Sequence, residues 1–174
     1  MREINDSKFK IQNSRLPPTL NHHNTAIKKI NAEYLEEVNS LEQASFPNHW
    51  SKNTLHSALD NPNNFSFGLF IEDSLISVVL ATLILDEVNI INVMTAPAFK
   101  QRGFAKKLLQ AVIAEASLLN VKSFFLEVRQ SNLPALRTYR SVGFKELSVR
   151  KDYYQSPLED AIVMSLSSVG FSLR

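Results

Sequence analysis

The order of apolar segments predicts an α/β fold built on a mixed, mostly antiparallel sheet of about seven strands flanked by about four helices. Two observations lead to this class. Apolar runs of strand length are separated by short polar turns over residues 65–94. Further along, segments with helical periodicity alternate with strand-like segments over residues 102–166. This region has no internal repeat and no break in composition, so we expect a single domain.

The first predicted elements are a short strand and two helices. Residues 27–30 form the strand, and Asn31 is placed to cap a helix over residues 32–44. A second helix begins after Ser51. The residues expected to face inward from the first helix are Leu35, Val38, Leu41 and Ala44.

The centre of the chain is predicted to form a hairpin and one further strand. Over residues 65–71, aromatic and aliphatic side chains alternate with smaller or polar ones, which indicates a strand. Residues 72–74 supply a turn, and residues 75–85 form the second strand of the hairpin. Residues 88–94 are predicted to form the next strand.

The remaining elements alternate between helix and strand. A third helix begins near Arg102, because apolar residues then recur at four-residue spacing, at Phe104, Leu108, Val112 and Ala116. A strand at residues 123–129 and a short helix at residues 134–141 follow. Two last strands, at residues 144–153 and 161–166, close the sheet.

The ends of the chain lie outside the predicted domain, which covers residues 26–168. Residues 1–25 are rich in Asn, Ser, Lys and Pro and have no clear apolar period, so we expect a flexible N-terminal extension. Residues 169–174 are expected to be a short C-terminal tail. His22 and His23 are adjacent but have no other ligand nearby, so we expect no metal site there.

Composition narrows the range of functions. The chain has no cysteine, which excludes a disulfide framework, thiolate metal ligands and a cysteine nucleophile. The N-terminus has no apolar stretch of signal-peptide type, and the longest apolar run, residues 75–85, is too short to span a bilayer. We therefore expect a cytoplasmic protein without a membrane partner. A net charge of +2 is too small to favour direct binding of nucleic acid.

The turn between the strand at residues 88–94 and the third helix has the chemistry of an anion site. Lys100, Arg102 and Lys106 are cationic, and Gly103 and Ala105 leave the first helical amides open to a ligand. Lysines near a helix N-terminus oppose the helix dipole unless an anion is bound. A phosphate ligand is therefore expected; the alternative is an ordinary connection with solvated lysines.

This turn resembles the acetyl-CoA loop of the GCN5-related N-acetyltransferases (GNAT). The family pattern is Gln or Arg, two free positions, Gly, one free position, then Gly or Ala; Lys100 takes the first place, and Gly103 and Ala105 take the others. Two later blocks, within residues 126–144 and 150–164, are similar to the ribosomal-protein-alanine N-acetyltransferase (RimI) branch of that family. The likeness extends over residues 27–167, so it covers almost the whole predicted domain.

The resemblance implies the GNAT fold, with a sheet that splays apart at an acetyl-CoA site. Acetyl-CoA would be the acetyl donor, and no metal would be needed. The residues implied to bind it are Val93, Met94, Thr95, Lys100, Gln101, Arg102, Gly103, Phe104, Ala105, Lys106 and Asn132. Backbone near Met94 and Thr95 would also stabilise the oxyanion of acyl transfer. For Asn132, the alternative is a simple N-cap of the short helix.

The resemblance also implies that an amine attacks the thioester directly, with Glu127 as the base and Tyr139 as the acid. Glu127 lies among apolar strand residues, so we expect its carboxylate to be partly desolvated. We do not expect it to pair with Arg129. The structural alternatives are that Glu127 pairs with another surface cation and that Tyr139 only covers the core.

In the branch that the chain resembles, the acceptor is the N-terminal alanine amine of a small-subunit ribosomal protein, bound as a peptide. The residues implied to hold this peptide are Trp50, Tyr153, Tyr154, Glu159 and Asp160. Asn48 and His49 depart from the family pattern, which has Pro directly before Trp, so any difference in selectivity is expected here. Two other functions stay open: acetylation of lysine or a small amine, and non-catalytic binding of an acyl-CoA.

Overall fold

The computed structural model describes residues 25–167. The strands are β1 (Thr25–Lys29), β2 (Phe67–Ile71), β3 (Ser74–Ile84), β4 (Glu87–Thr95), β5 (Ser123–Arg129), β6 (Lys145–Gln155) and β7 (Leu158–Ser167). The α-helices are α1 (Leu35–Ser45), α2 (Lys52–Leu59), α3 (Phe104–Leu118) and α4 (Leu133–Ser141). Two 3₁₀ helices, Ala32–Tyr34 and Pro97–Phe99, precede α1 and α3. None of these helices is long and apolar enough to cross a membrane.

All seven strands form one sheet in the order β1-β2-β3-β4-β5-β7-β6. Every neighbouring pair is antiparallel except β4 and β5, which are parallel. A parallel pair needs a crossover, and α3 makes it. The predicted α/β class, with its mixed and mostly antiparallel sheet, is confirmed.

The parallel pair β4 and β5 is hydrogen-bonded along only part of its length. The register runs from Glu87 opposite Ser123 to Ile90 opposite Leu126, although β4 continues to Thr95 and β5 to Arg129. A bulge at Ile91 bends β4 at the same level, because Leu80 pairs with Asn92 whereas Ala81 pairs with Ile90. The sheet therefore opens at the carboxyl ends of β4 and β5, as predicted.

Two apolar cores lie on opposite faces of the sheet. Alternate residues of β3 show this, since Val79 belongs to the core beneath α3 and α4, whereas Val78 belongs to the core beneath α1 and α2. Because helices cover both faces, residues 65–70 are buried without interruption. The strand predicted within residues 65–71 is present as β2, but the residues between its large apolar side chains are buried as well.

Several observed helix and strand boundaries differ from the predicted ones by a few residues. The first strand covers Thr25–Lys29 and not residues 27–30, and α3 begins at Phe104, two residues after Arg102. Asn31 is the predicted N-cap, but it caps the 3₁₀ turn before α1, by accepting from the Glu33 amide at 3.0 Å. Ala44 is exposed rather than inward, and Glu42 is buried instead.

The predictions about the two ends fall largely outside the described residues. Residues 1–24, which include His22 and His23, and residues 168–174 are not among them. Thr25, placed in the extension from sequence, belongs to edge strand β1. At the other end of the sheet, β6 and β7 are joined by the tight turn at Ser156 and Pro157, whose peptide bond is cis.

Candidate active site

The turn before α3 has the backbone of an anion cradle. Gln101 and Gly103 both have positive φ, at 61° and 82°, and Gly103 is the N-cap of α3. A Cβ added to Gly103 would meet no atom within 4 Å, so the space in front of the loop is open. The first amides of a helix point out of its N-terminal end, and Gly103 stands at that end of α3. The loop therefore offers N–H donors to an anion.

The charge around this cradle is entirely positive. Lys100, Arg102 and Lys106 are exposed, and the sequence has no acidic residue from Thr95 to Ala114. The Phe104 side chain is buried, so this predicted ligand-binding residue has only its backbone to offer. These features fit the phosphates of acetyl-CoA, which supplies an activated acetyl group when bound. Among residues 25–167, no cluster of His, Cys, Asp or Glu is arranged to hold a metal ion.

The carboxyl end of β4 is tied to the elements on its other side. Ser77 Oγ donates to the Met94 carbonyl at 2.8 Å, and the Ser77 and Thr95 hydroxyls lie 2.8 Å apart. Ser45 Oγ lies 3.5 Å from the Thr95 carbonyl. Hydrogen bonding to Ser77 accounts for a threonine at position 95. The opposite edge of β4, beyond Ile90, faces the opening where β5 has diverged.

Asn132 acts as the N-cap of α4 in the structure. Its Oδ1 accepts a hydrogen bond from the Ala135 amide at 3.3 Å, which satisfies one of the first-turn donors. The N-cap alternative is thus observed. A contact between Asn132 and the cofactor stays a prediction.

Glu127 lies on β5 beyond the point of divergence and is partly desolvated, with 29% of its side chain exposed. Its Oε1 accepts a hydrogen bond from Arg150, whose guanidinium also lies 4.4 Å from the centroid of the Tyr153 ring. Hydrogen bonding to Glu127 raises the pKa of both Arg150 and Tyr153. Sequence reasoning missed this pair, because strand order brings Arg150 near Glu127 and the order was not readable from the sequence.

Arg129 does not pair with Glu127, as expected, because it has other partners. It donates to Glu159 at 3.2 Å and to the carbonyls of Ser156 at 3.0 Å and Pro157 at 3.2 Å. Its guanidinium also lies 4.1 Å from the centroid of the Tyr154 ring. Arg129 therefore fastens the β6–β7 turn to β5.

Tyr139 projects from α4 into the core and is only 8% exposed. Its ring centroid lies 6.0 Å from that of Phe144, which is the core-covering contact of the structural alternative. Burial, followed by the electrostatic influence of Tyr154, raises the pKa of the Tyr139 hydroxyl. The rings of Tyr153 and Tyr154 meet edge to face, 5.1 Å apart. Tyr139 thus fills the packing role of the structural alternative, and its role as an acid stays a prediction.

The two carboxylates predicted to meet a basic peptide are already engaged within the chain. Glu159 accepts from the Ser131 amide at 2.5 Å, and this hydrogen bond contributes most to lowering its pKa. Asp160 accepts from Lys151 at 2.6 Å and from the Asp152 amide at 3.0 Å, and Lys151 is the main cause of its lowered pKa. Their contact with a peptide stays a prediction.

The loop between α1 and α2 is anchored by a buried carboxylate. Glu42 is 1% exposed and accepts from the Trp50 amide and from Asn92 Nδ2, both at 3.1 Å. Burial raises its pKa. The sequence did carry a signal, since Glu42 follows the inward residue Val38 by four positions. In the same loop, Asn48 Nδ2 lies 3.5 Å from the Ser156 carbonyl, so the loop reaches the β6–β7 turn.

Known proteins match both the sequence and this architecture. Residues 35–144 match the model of the acetyltransferase (GNAT) family. The chain is 36% identical over 145 residues to the [ribosomal protein bS18]-alanine N-acetyltransferase of Haemophilus ducreyi, covering 80% of this chain and 98% of that enzyme. The corresponding Escherichia coli enzyme is 30% identical over 142 residues, covering 80% of this chain and 95% of that enzyme.

Solved structures of acetyltransferases superpose on this chain. The ribosomal-protein-S18-alanine N-acetyltransferase from Escherichia coli superposes with a TM-score of 0.78 at 29% identity, covering 82% of this chain and 93% of that one. Arabidopsis thaliana NAA60, solved in complex with acetyl-CoA, superposes with a TM-score of 0.75. At 19% identity, with 82% of this chain and 99% of that one covered, it shows the fold alone. On this evidence, the chain belongs to the GNAT family of acetyltransferases and uses acetyl-CoA as its acetyl donor.

Proposed function

We propose that this chain acetylates the N-terminal alanine amine of ribosomal protein bS18. The observation that carries the proposal is its 36% identity to an enzyme of that name, over 98% of the length of that enzyme. The cluster of Glu127, Arg150 and Tyr153 at the opening of the sheet supports it. The partner is a protein N-terminus, and we propose no direct contact with nucleic acid or membrane. A cytoplasmic location is part of the proposal.

Glu127 is assigned as the general base. An α-amine is largely an ammonium at neutral pH, since its ordinary pKa is about 8, and it has to lose a proton before it attacks. The Glu127 carboxylate is partly exposed beside the split in the sheet, where an acceptor amine has access to it. Arg150 donates the hydrogen bond that fixes the orientation of this carboxylate.

Tyr139 is assigned as the proton donor to the leaving sulfur. Burial raises its pKa, so the hydroxyl keeps its proton at neutral pH. The same shift makes it a weaker acid. Because a thiolate, with an ordinary pKa of about 8.5, leaves readily by itself, the contribution of Tyr139 to the rate is expected to be modest.

The acceptor peptide is proposed to lie between the α1–α2 loop and the β6–β7 hairpin. Trp50 belongs to the loop, and Tyr153 and Tyr154 to the hairpin. Aromatic side chains offer a rigid wall for an extended peptide. Glu159 and Asp160 contribute negative potential that favours a cationic N-terminus.

The test is release of free CoA by the purified protein with acetyl-CoA and a synthetic peptide beginning Ala-Arg. A peptide with a blocked N-terminus and an internal lysine is the matched control. The proposal predicts release with the first peptide alone. Release with the lysine peptide alone contradicts the proposal and identifies a lysine acetyltransferase. If neither peptide causes release of CoA although acetyl-CoA still binds, the chain is a non-catalytic acyl-CoA-binding module.

A further inference from the structure

Strand β6 departs from regular pairing next to the candidate base. Arg150 is opposite Ala161 on β7, and the next pair is Tyr154 opposite Glu159. Between these pairs, β6 carries two more residues than β7. The extra residues form a bulge over residues 151–153, at whose centre Asp152 has a φ of 51°. This left-handed conformation is uncommon for residues other than glycine, although Asp tolerates it better than most.

The Asp160 side chain holds this bulge. One of its oxygens accepts from the Asp152 amide at 3.0 Å, and the other accepts from Lys151 Nζ at 2.6 Å. Gln155 Nε2 donates to the Asp152 carbonyl at 2.8 Å. These contacts replace the ladder hydrogen bonds that the bulge interrupts. Asp160 therefore has a structural task besides its negative charge.

The bulge changes which side chains of β6 share a face. In a regular strand, Arg150 and Tyr153 would point to opposite faces, because they lie three positions apart in sequence. Here the Arg150 guanidinium lies 4.4 Å from the centroid of the Tyr153 ring, and the same guanidinium donates to Glu127. Tyr154 then meets Tyr153 at 5.1 Å.

We propose that the bulge at residues 151–153, held by Asp160, is a positioning element that seats Arg150 on the Glu127 carboxylate and Tyr153 against the Arg150 guanidinium. Asp152 and Asp160 act through these residues and not on the substrate. The bulge thereby orients the base and sets the tyrosine wall of the acceptor groove. The expected effects on the kinetics of acetylation rest on the proposed function. The placement of Tyr153 by the bulge does not depend on that function.

The test compares two substitutions at Asp152 that differ in backbone preference. Glycine adopts positive φ readily, whereas the β-branched valine strongly disfavours it. Asp152→Gly should stay within about threefold of wild type in kcat/KM for the Ala-Arg peptide. Asp152→Val should lower it by about tenfold or more, mainly through KM, with the Kd for acetyl-CoA unchanged. Equal values of kcat/KM for the two variants would overturn the proposed effect of the bulge on acetylation.

A spectroscopic readout makes the geometry testable without turnover. The chain has four tyrosines, and ¹³C labelling of their rings, with Tyr153→Phe for assignment, isolates the Tyr153 signal. Glu127→Gln should shift this signal in the wild-type and Asp152→Gly backgrounds but not in Asp152→Val. A shift of the same size in Asp152→Val would overturn the inference. If Asp152→Val does not fold, Asp160→Ala replaces it, with the same two outcomes.

The two proposals fail separately. If the wild-type protein acetylates no peptide but the Tyr153 response to Glu127→Gln is lost in Asp152→Val, the proposed function is wrong and the bulge still positions Tyr153. If the peptide is acetylated and the response persists in Asp152→Val, the function stands and the role of the bulge is wrong.

Discussion

The Glu127 carboxylate lies between apolar residues of its own strand and a cation from β6. These neighbours bear on whether its role is catalytic or only structural. Apolar residues of β5 flank Glu127 in sequence, and β6 supplies the Arg150 guanidinium to its carboxylate. Pairing with a cation is the contact expected of a purely structural Glu127. Its place beyond the last β4–β5 pair, at the split in the sheet, favours the catalytic role.

Replacing Glu127 with Gln removes the proton acceptor and keeps the shape of the side chain. We expect kcat/KM for the Ala-Arg peptide to fall by about 10²- to 10⁴-fold, which is typical for loss of a general base. The Kd for acetyl-CoA, measured by calorimetry, should not change. Glu146→Gln is the matched control, because Glu146 pairs with Arg140 at an exposed place on β6 and should leave turnover unaltered. Equal activity of the two variants would remove Glu127 from the mechanism.

Tyr139→Phe is expected to slow thiol release without stopping it, by on the order of ten- to a hundredfold, because thiolate is a fair leaving group. The measurement is release of CoA at saturating peptide. Loss of the hydroxyl should not destabilise the core, since the aromatic contact with Phe144 stays. Turnover equal to wild type would show that Tyr139 has only its packing role.

Glu42 should make stability depend on pH. Its raised folded pKa means that the native state binds the proton more tightly than the unfolded chain does. The free energy of unfolding therefore falls as pH rises from the ordinary value of 4.5 through the raised pKa. Glu42→Gln does not titrate, so its stability relative to wild type should increase over that window in urea titrations. A difference independent of pH would contradict this reading of Glu42.

Among the secondary-structure elements, the loop before α3 carries the clearest functional prediction. Gly103→Ala places a methyl group in the open space before the first helical amides and imposes a left-handed alanine. We expect the Kd for acetyl-CoA to rise about tenfold, with a stability loss of about 1–2 kcal/mol. Calorimetry and thermal unfolding measure the two effects.

Gly143→Ala is the control for that substitution. Gly143 also has a positive φ, of 102°, and its added Cβ would lie 3.1 Å from Leu166 Cδ1, in the core. Gly143→Ala should therefore destabilise the fold and leave the affinity for acetyl-CoA unchanged. If both alanine variants weakened binding equally, the loss at Gly103 would reflect general destabilisation and not the cradle.

The elements differ in how well the sequence predicted them. Long periodic segments were identified correctly, because the apolar stripe of α3 and the hairpin of β2 and β3 depend on local spacing. Local spacing also misled, since Ala44 continues the stripe of α1 in sequence but is exposed. The bulge at Asp152 was not predictable, because it depends on a contact with Asp160 from the neighbouring strand.

In the molecule as a whole, the opening between β4 and β5 is the feature of the fold that places the candidate site. The predicted class was correct, because it follows from element order. The opening beside the cofactor loop, which the resemblance to the GNAT family implies, is also observed. The side-chain contacts within the site were not predictable from the sequence. Strand order brings Arg150 to Glu127, and a buried carboxylate at Glu42 ties the α1–α2 loop to Asn92.

Acetyl-CoA should stabilise the whole domain by mass action. At a concentration of 100 times its Kd, a ligand that binds only the folded state adds about 2.7 kcal/mol, which corresponds to an increase in Tm of about 5–10 °C for a chain of this length. Differential scanning fluorimetry checks this directly. Gly103→Ala should show a smaller increase at the same concentration. An unchanged Tm for the wild-type protein would contradict the assignment of the cofactor loop.

We propose that this chain places an acetyl group on an alanine α-amine with Glu127 as the base. The most direct test uses one peptide that carries both a free N-terminal alanine and an internal lysine, with tandem mass spectrometry to locate the acetyl group. We predict acetylation of the α-amine alone by the wild-type protein, and none by Glu127→Gln while it still binds acetyl-CoA. Acetyl groups on the lysine, or undiminished acetylation by Glu127→Gln, would contradict the claim.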